Sequence, residues 1–296
     1  MLADNFHNYT EETYKVSVAF LNEQPDLKAK LEDSLWAFYS LGKLIPETLE
    51  KFASGHYFPY SESFFNLRSS LELCRYGFYS QALVSLRSVL ELSTMGIYYD
   101  INDESHVTVK PWIQSTIRTP SFKLMINTLL QKDYYKRFDK IFGLGKELEN
   151  LYDELGGFVH VRGYQSSSTG LSGSNIIVFK PKILEKFVKK QVQVVILVSI
   201  LMLLKYPIGI VPLPITDKFG FNGLSGGFLE KIDTDHILAM LTKEEVVFMQ
   251  NIAKNDTHVQ ETVRYFENLP EIDGEEFQRQ ANEWGHFMEE HKRDPE

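Results

Sequence analysis

The sequence has very little cysteine and no apolar run long enough to span a membrane. Cys74 is its only cysteine among 296 residues, which excludes an internal disulfide and favours a reducing compartment. The longest apolar stretch, residues 192–204, includes Gln193 and has 13 residues, whereas a membrane-spanning helix needs about 20. No basic-then-apolar signal segment opens the sequence. We therefore expect a cytoplasmic protein without a membrane segment, and a core helix at 192–204.

The standard motifs of catalysis and cofactor binding are missing too. Residues 143–146 read GLGK, which lacks the spacing of a phosphate-binding loop and is not followed by Ser or Thr. No G-x-S-x-G sequence for acyl transfer is present. His286 and His291 are five residues apart, about 140° around a helix, so they cannot bind one metal ion from one face. We expect no metal and no cofactor.

Basic residues are also too few to favour nucleic acid as a general partner. The formal net charge is −9, and residues 267–296 hold ten acids against three bases. RNA binding is therefore disfavoured, although two basic segments, 110–146 and 180–190, keep a specific anionic partner open. Solvated helix faces are the alternative explanation of these segments.

Helical periodicity is present almost everywhere. It predicts an all-α fold, a multi-helix bundle around a buried helical hairpin and a long apolar helix. Strand propensity occurs only beside the Ser/Gly-rich stretch 164–175, so at most one small β-hairpin is expected around 159–179. The main predicted helices are 62–76, 78–100, 121–131, 146–158 and 182–205. The predicted core includes Leu83, Leu86, Leu90, Val195, Leu197, Leu201 and Leu204.

The sequence suggests three parts of the chain, and prolines mark the second boundary. Pro207, Pro212 and Pro214 end the long apolar helix and mark a boundary. The expected division is 1–57 for N-terminal helices, 58–206 for the helical core, and 207–296 for a Pro/Gly-rich connection followed by acidic helices.

Arg87 and Glu91 are the most unusual residues of the predicted hairpin. They lie one turn apart in an apolar helix, and charged side chains in such a setting need hydrogen-bonding partners. His160, which follows a Gly-Gly pair, is the best candidate. We predict an interior polar cluster of Arg87, Glu91 and His160, with a functional pocket as the alternative.

A resemblance to a known family rests on these same residues. The sequence reads Gly77-x-Tyr79-x-x-Ala82-x-x-x-x-Arg87-x-x-x-Glu91 and later Tyr152-x-x-Leu155-x-x-x-x-His160. This pattern resembles the HEPN-like superfamily, helical bundles common in bacterial toxin and phage-defence systems, and covers about residues 60–205. The resemblance implies a homodimer. Nuclease members of that family cut RNA without metal, using an Arg and a following His that are separated by four to six residues and lie in a dimer cleft.

The sequence departs from that nuclease pattern. Asp153, Glu154 and Leu155 occupy the positions where the family has its Arg, so the cation that would stabilise phosphate charge is missing there. Two hypotheses follow. The chain is a non-catalytic helical module that dimerises or binds a protein partner, or it is a divergent metal-independent RNase that uses His160 with Arg162 or Arg87.

Overall fold

Helices follow one another along the whole of the described chain. The computed structural model describes residues 2–45, 57–102, 109–173, 177–220 and 226–290, and these ranges contain no β-strand, which confirms the all-α prediction. The α-helices are α1 (Leu2–Glu23), α2 (Pro25–Leu41), α3 (Phe58–Arg75), α4 (Tyr79–Asn102), α5 (Val109–Ile113), α6 (Phe122–Leu129), α7 (Asp133–Phe142), α8 (Leu144–Val159), α9 (Ser168–Ser172), α10 (Pro181–Lys205), α11 (Ile215–Phe219), α12 (Lys231–Leu238), α13 (Lys243–Asn255), α14 (Thr257–Asn268) and α15 (Gly274–Glu290). Short 3-10 helices occupy Gly42–Leu44, Tyr164–Ser166 and Pro207–Ile210.

The helical hairpin of α3 and α4 turns at Gly77. This residue has φ +85°, and the Phe78 backbone N–H closes the turn with a 2.8 Å hydrogen bond to the Leu73 carbonyl. A Cβ at position 77 would lie 2.7 Å from the Ile177 side chain. Because only glycine adopts this backbone without strain and leaves this space, Gly77 fixes where the hairpin turns.

The core lies where α10 packs between α2 and α4. All of the predicted core leucines and valines are buried, at 2% exposure or less. By length and composition α10 is the one helix of the described residues that could cross a membrane. Yet 72% of its most apolar window is buried, as in the core helix of a bundle. The helix is apolar on most sides because it has neighbours on most sides.

Three local predictions concern a β-hairpin, a helix start and a short helix. The segment 159–163 ends α8 and turns, and 164–172 is helical, so no hairpin ladder forms in the described part of 159–179. Thr10 before Glu11-Glu12 predicts a helix N-cap, but this prediction is wrong, because α1 runs through Thr10 and its hydroxyl donates a hydrogen bond to the His7 carbonyl at 2.7 Å. Pro46 predicts the start of a short helix that ends at Ala53, and this segment lies outside the described residues.

Contacts cross both predicted domain boundaries. Helix α12 packs on α2, where Asp233 is fully buried. Its carboxylate accepts hydrogen bonds from the Ser40 hydroxyl and from the Lys43 ammonium, each at 2.7 Å. Side chains from all three predicted parts join one hydrophobic cluster. The C-terminal helices are therefore held to the N-terminal helices by a buried, fully hydrogen-bonded charge as well as by apolar packing.

Candidate functional site

Arg87 and Glu91 meet across Tyr152, a residue of the neighbouring helix α8. The Arg87 guanidinium donates a hydrogen bond to the Tyr152 hydroxyl, and this hydroxyl lies 3.3 Å from Glu91 Oε1, to which it donates. Among the ion pairs of the described residues, none joins Arg87 directly to Glu91. The pair predicted to lie one turn apart on α4 is therefore satisfied by a third side chain. We call these three residues the interior cluster.

Aromatic packing fixes the tyrosine of the interior cluster. The Arg87 guanidinium carbon lies 4.3 Å from the centre of the Tyr152 ring, and Phe122 of α6 stacks on the same ring at 3.9 Å. Gly156, one turn after Tyr152, leaves the space beside Arg87, since a Cβ there would lie 3.8 Å from Arg87 Nε. That Nε is buried and has no hydrogen-bonding partner in the described part of the chain. The half-buried guanidinium thus lies between α4 and α8.

The electrostatics of the interior cluster favour a neutral tyrosine. Burial, and then the charge of Glu91, raise the pKa of the Tyr152 hydroxyl above its ordinary value, while Arg87 opposes the shift. A hydroxyl that keeps its proton can donate to Glu91 and accept from Arg87 at once. The neutral hydroxyl therefore links the two charges, although it leaves Arg87 Nε without a partner among the described residues.

His160 lies outside the interior cluster, so the predicted interior Arg87–Glu91–His160 cluster is wrong for the histidine. It is the exposed C-cap residue of α8, and its backbone N–H bonds the Gly156 carbonyl at 3.2 Å. Because α8 continues to Val159, the chain does not bend inward at the glycine pair 156–157. The helix carries His160 past the packed face and into solvent.

Arg162 is neutralised on the surface. Its guanidinium lies 2.6 Å from the Asp153 carboxylate, and both side chains are exposed. Glu154 is paired in the same way with Lys190 of α10, at 2.5 Å. The two acids that take the place of a nuclease arginine therefore each hold a cation from elsewhere in the fold.

The turn that carries these residues has a strained backbone. Val161 has φ +45°, in the left-handed region that β-branched residues avoid, and it is 56% exposed. Glycine usually occupies this position after a helix. The next hydrogen bond, from the Arg162 N–H to the Gly157 carbonyl at 2.9 Å, closes the turn. Because more than half of the Val161 surface is exposed, little packing can offset this strain.

Sequence reasoning missed the role of Tyr152, although the residue was part of the pattern quoted for the family. The available signal was Gly156 four residues later, because a glycine one turn away marks a face on which a large side chain from another helix can lie. No group of three His, Cys, Asp or Glu side chains in the described chain could hold a metal ion.

A second surface stands out because it exposes aromatic rings. Trp36 and Tyr39 of α2 have ring centres 6.3 Å apart, and Phe64 of α3 lies 5.8 Å from Tyr39. Phe65, the next residue of α3 after Phe64, is 68% exposed, the highest value of any large apolar side chain described. We call these four residues the aromatic face.

Comparison of the chain with family models, with curated proteins and with solved structures finds no match. The HEPN-like relationship therefore stays a prediction from the residue pattern.

Proposed function

We propose that this chain is a non-catalytic helical module that dimerises and binds a protein partner. The observation that carries the proposal is the separation of the candidate residues. Arg87 is held by Tyr152 and by the ring stack of Phe122, while His160 lies in solvent. An acid–base catalyst and the cation that stabilises charge must converge on one reacting group, and Arg87 and His160 do not.

The aromatic face is the best candidate surface for a homodimer. The long apolar helix α10 is mostly buried in the core. Trp36, Tyr39 and Phe65 are instead 44%, 52% and 68% exposed, and aromatic residues are enriched in interfaces. Asp33 and Arg68 lie on the same two helices and are both exposed. A surface with both charge signs can pair with a copy of itself around a two-fold axis.

Light scattering on surface variants tests this dimer. We expect wild-type protein to be dimeric at micromolar concentration and Tyr39→Ala/Phe65→Ala to be monomeric with the same circular dichroism spectrum. Tyr265→Ala is the matched control, since Tyr265 is 55% exposed and outside the aromatic face. A monomeric wild-type protein, or a double variant that stays dimeric, would contradict this assignment.

The second candidate function is a divergent RNase, and one observation favours it. His160 is exposed and lies two residues from Arg162, so both can reach a ligand from solvent. Cleavage of RNA by the wild-type protein that disappears in His160→Ala, with melting unchanged, would replace the module by the RNase. We expect no such cleavage, because the net charge of −9 disfavours RNA and the Asp153 carboxylate lies beside Arg162.

The cellular role that we propose for the module rests on the residue pattern. Similarity to HEPN-like proteins supports a regulatory role in a bacterial toxin or phage-defence system, in the cytoplasm and without a cofactor. The net charge of −9 supports a protein rather than RNA as the partner.

A further inference from the structure

A groove of about 650 Å³ lies among the C-terminal helices, far along the chain from both surfaces described above. It is bounded by the helical pair α13 and α14 and by the segment that begins at Pro207. Its apolar lining includes Ile210, Val211, Val247, Ala253, Val259 and Val263. This volume is within the range of small-molecule sites, which are about 300–1,000 Å³.

The charge around this groove has one sign. Lys254 and Arg264 line it together with the amides of Gln250 and Gln260, and no carboxylate does. Neither cation forms an ion pair within the described residues, whereas Lys43, Arg162 and several others do. Both side chains are exposed and therefore available to a ligand in the groove. The local charge is complementary to an anion.

The side-chain types of the lining indicate which class of ligand fits the groove. Every apolar side chain of the groove is aliphatic, and none is an aromatic ring on which a base or another ring could stack. We propose that the groove binds an aliphatic chain that ends in a carboxylate. The chain lies on Val259 and Val263, and Lys254 and Arg264 bind the carboxylate. This activity is separate from the proposed dimer, since the aromatic face is on α2 and α3.

Displacement of dansyl-undecanoic acid by straight-chain fatty acids tests the proposal on the full chain. We expect saturable fluorescence enhancement, and displacement that strengthens from octanoate to decanoate to dodecanoate. Each buried CH₂ should tighten binding about fourfold, the factor that follows from the free energy of burying one methylene. Absence of saturable binding, or equal displacement by all three acids, would overturn the proposal.

Charge variants separate the carboxylate contact from non-specific adsorption. Lys254→Gln/Arg264→Gln should weaken dodecanoate binding at least tenfold and leave displacement by dodecanol unchanged. Lys243→Gln is the matched control, an exposed lysine on α13 outside the groove. Equal affinity of wild type and double variant for dodecanoate would show that the cations do not bind the carboxylate, and would overturn the assignment.

A steric variant tests the place of binding. Val247 lines the groove and is 55% exposed, so Val247→Trp adds bulk there without disturbing the core. We expect this variant to lose binding of both dodecanoate and dodecanol while its melting temperature stays the same. Undiminished binding in a folded Val247→Trp protein would place the ligand elsewhere and overturn the proposal.

Discussion

The middle of α8 and the turn after its end each contact an arginine, and the two contacts differ. At its middle, Tyr152 and a stacked ring enclose Arg87 against α4. After its end, Arg162 folds back over the surface to Asp153 in an exposed ion pair. The first arrangement needs three helices in one geometry, whereas the second needs only a flexible side chain near a carboxylate. Burial and shared partners, rather than charge alone, therefore distinguish a structural arginine from an incidental one.

Removing the guanidinium of the interior cluster should have the largest effect. Arg87→Ala takes the cation from the Tyr152 ring and leaves Glu91 half-buried with the tyrosine alone. We expect the free energy of unfolding to fall by about 2–3 kcal/mol, less than for a fully buried pair. Urea denaturation measures this change.

A double variant shows whether the cluster acts as a unit. Arg87→Ala/Glu91→Ala should cost less than the two single changes added together, because each single change strands a partner. If the two single losses of stability simply add, Arg87 and Glu91 contribute independently. Arg87 would then differ from Arg162 in burial only.

The bridging hydroxyl should have a smaller effect of its own. Tyr152→Phe keeps the ring stacked on Phe122 but removes the link between Arg87 and Glu91, and should cost about 1–2 kcal/mol. It should also change the dependence on pH. Because the raised pKa of Tyr152 favours the neutral form in the folded state, its stabilising effect is complete below about pH 10 and declines at higher pH.

Alkaline denaturation of the wild type and of Tyr152→Phe separates the loss of the hydrogen-bonded link from the change in pH dependence. The wild-type free energy of unfolding should fall more steeply above pH 10 than that of Tyr152→Phe. Tyr79, whose pKa burial raises to about 12, contributes to the same decline in both proteins and serves as their common background. Parallel curves would show that neither burial nor Glu91 raises the pKa of Tyr152 in the folded protein.

The fold was largely predictable because it depends on periodic burial. Leu83, Leu86 and Leu90 recur at helical spacing, and each is buried in α4. Gly77 predicts the hairpin turn from its lack of a side chain alone, and the structure places it at φ +85°. Such signals are local, so a single sequence contains them.

The interior cluster was only partly predictable because its last member comes from another helix. Arg87 and Glu91 signal a need for a partner, but Tyr152 and His160 lie on the same helix, eight residues apart. Which of them faces α4 depends on where α8 ends and how it is rotated. The sequence pattern Gly156-Gly157 suggested a bend, whereas the helix continues to Val159 and turns His160 outward.

Relief of backbone strain in the turn should have a smaller effect, of opposite sign. Val161→Gly removes the cost of a left-handed valine, about 1–2 kcal/mol, and adds the flexibility of glycine in the unfolded chain. We expect a net gain of about 0.5 kcal/mol in the free energy of unfolding. Val159→Gly, in the helical part of the same segment, should instead lose about 0.5–1 kcal/mol. Destabilisation by both changes would mean that Val161 makes contacts that compensate for its conformation.

The smallest effects should come from the exposed residues His160 and Arg162. His160→Ala and Arg162→Ala should each change the free energy of unfolding by less than about 0.5 kcal/mol, because surface substitutions rarely cost more. Salt should distinguish this pair from the interior cluster. At 1 M ionic strength the screening length is about 3 Å, so the exposed Arg162–Asp153 contribution should vanish. The cost of Arg87→Ala should persist there, since packing against Tyr152 does not depend on salt. A large loss of stability in Arg162→Ala that persists in salt would instead make the turn a structural element. The difference between Arg87 at the middle of α8 and Arg162 after its end would then disappear.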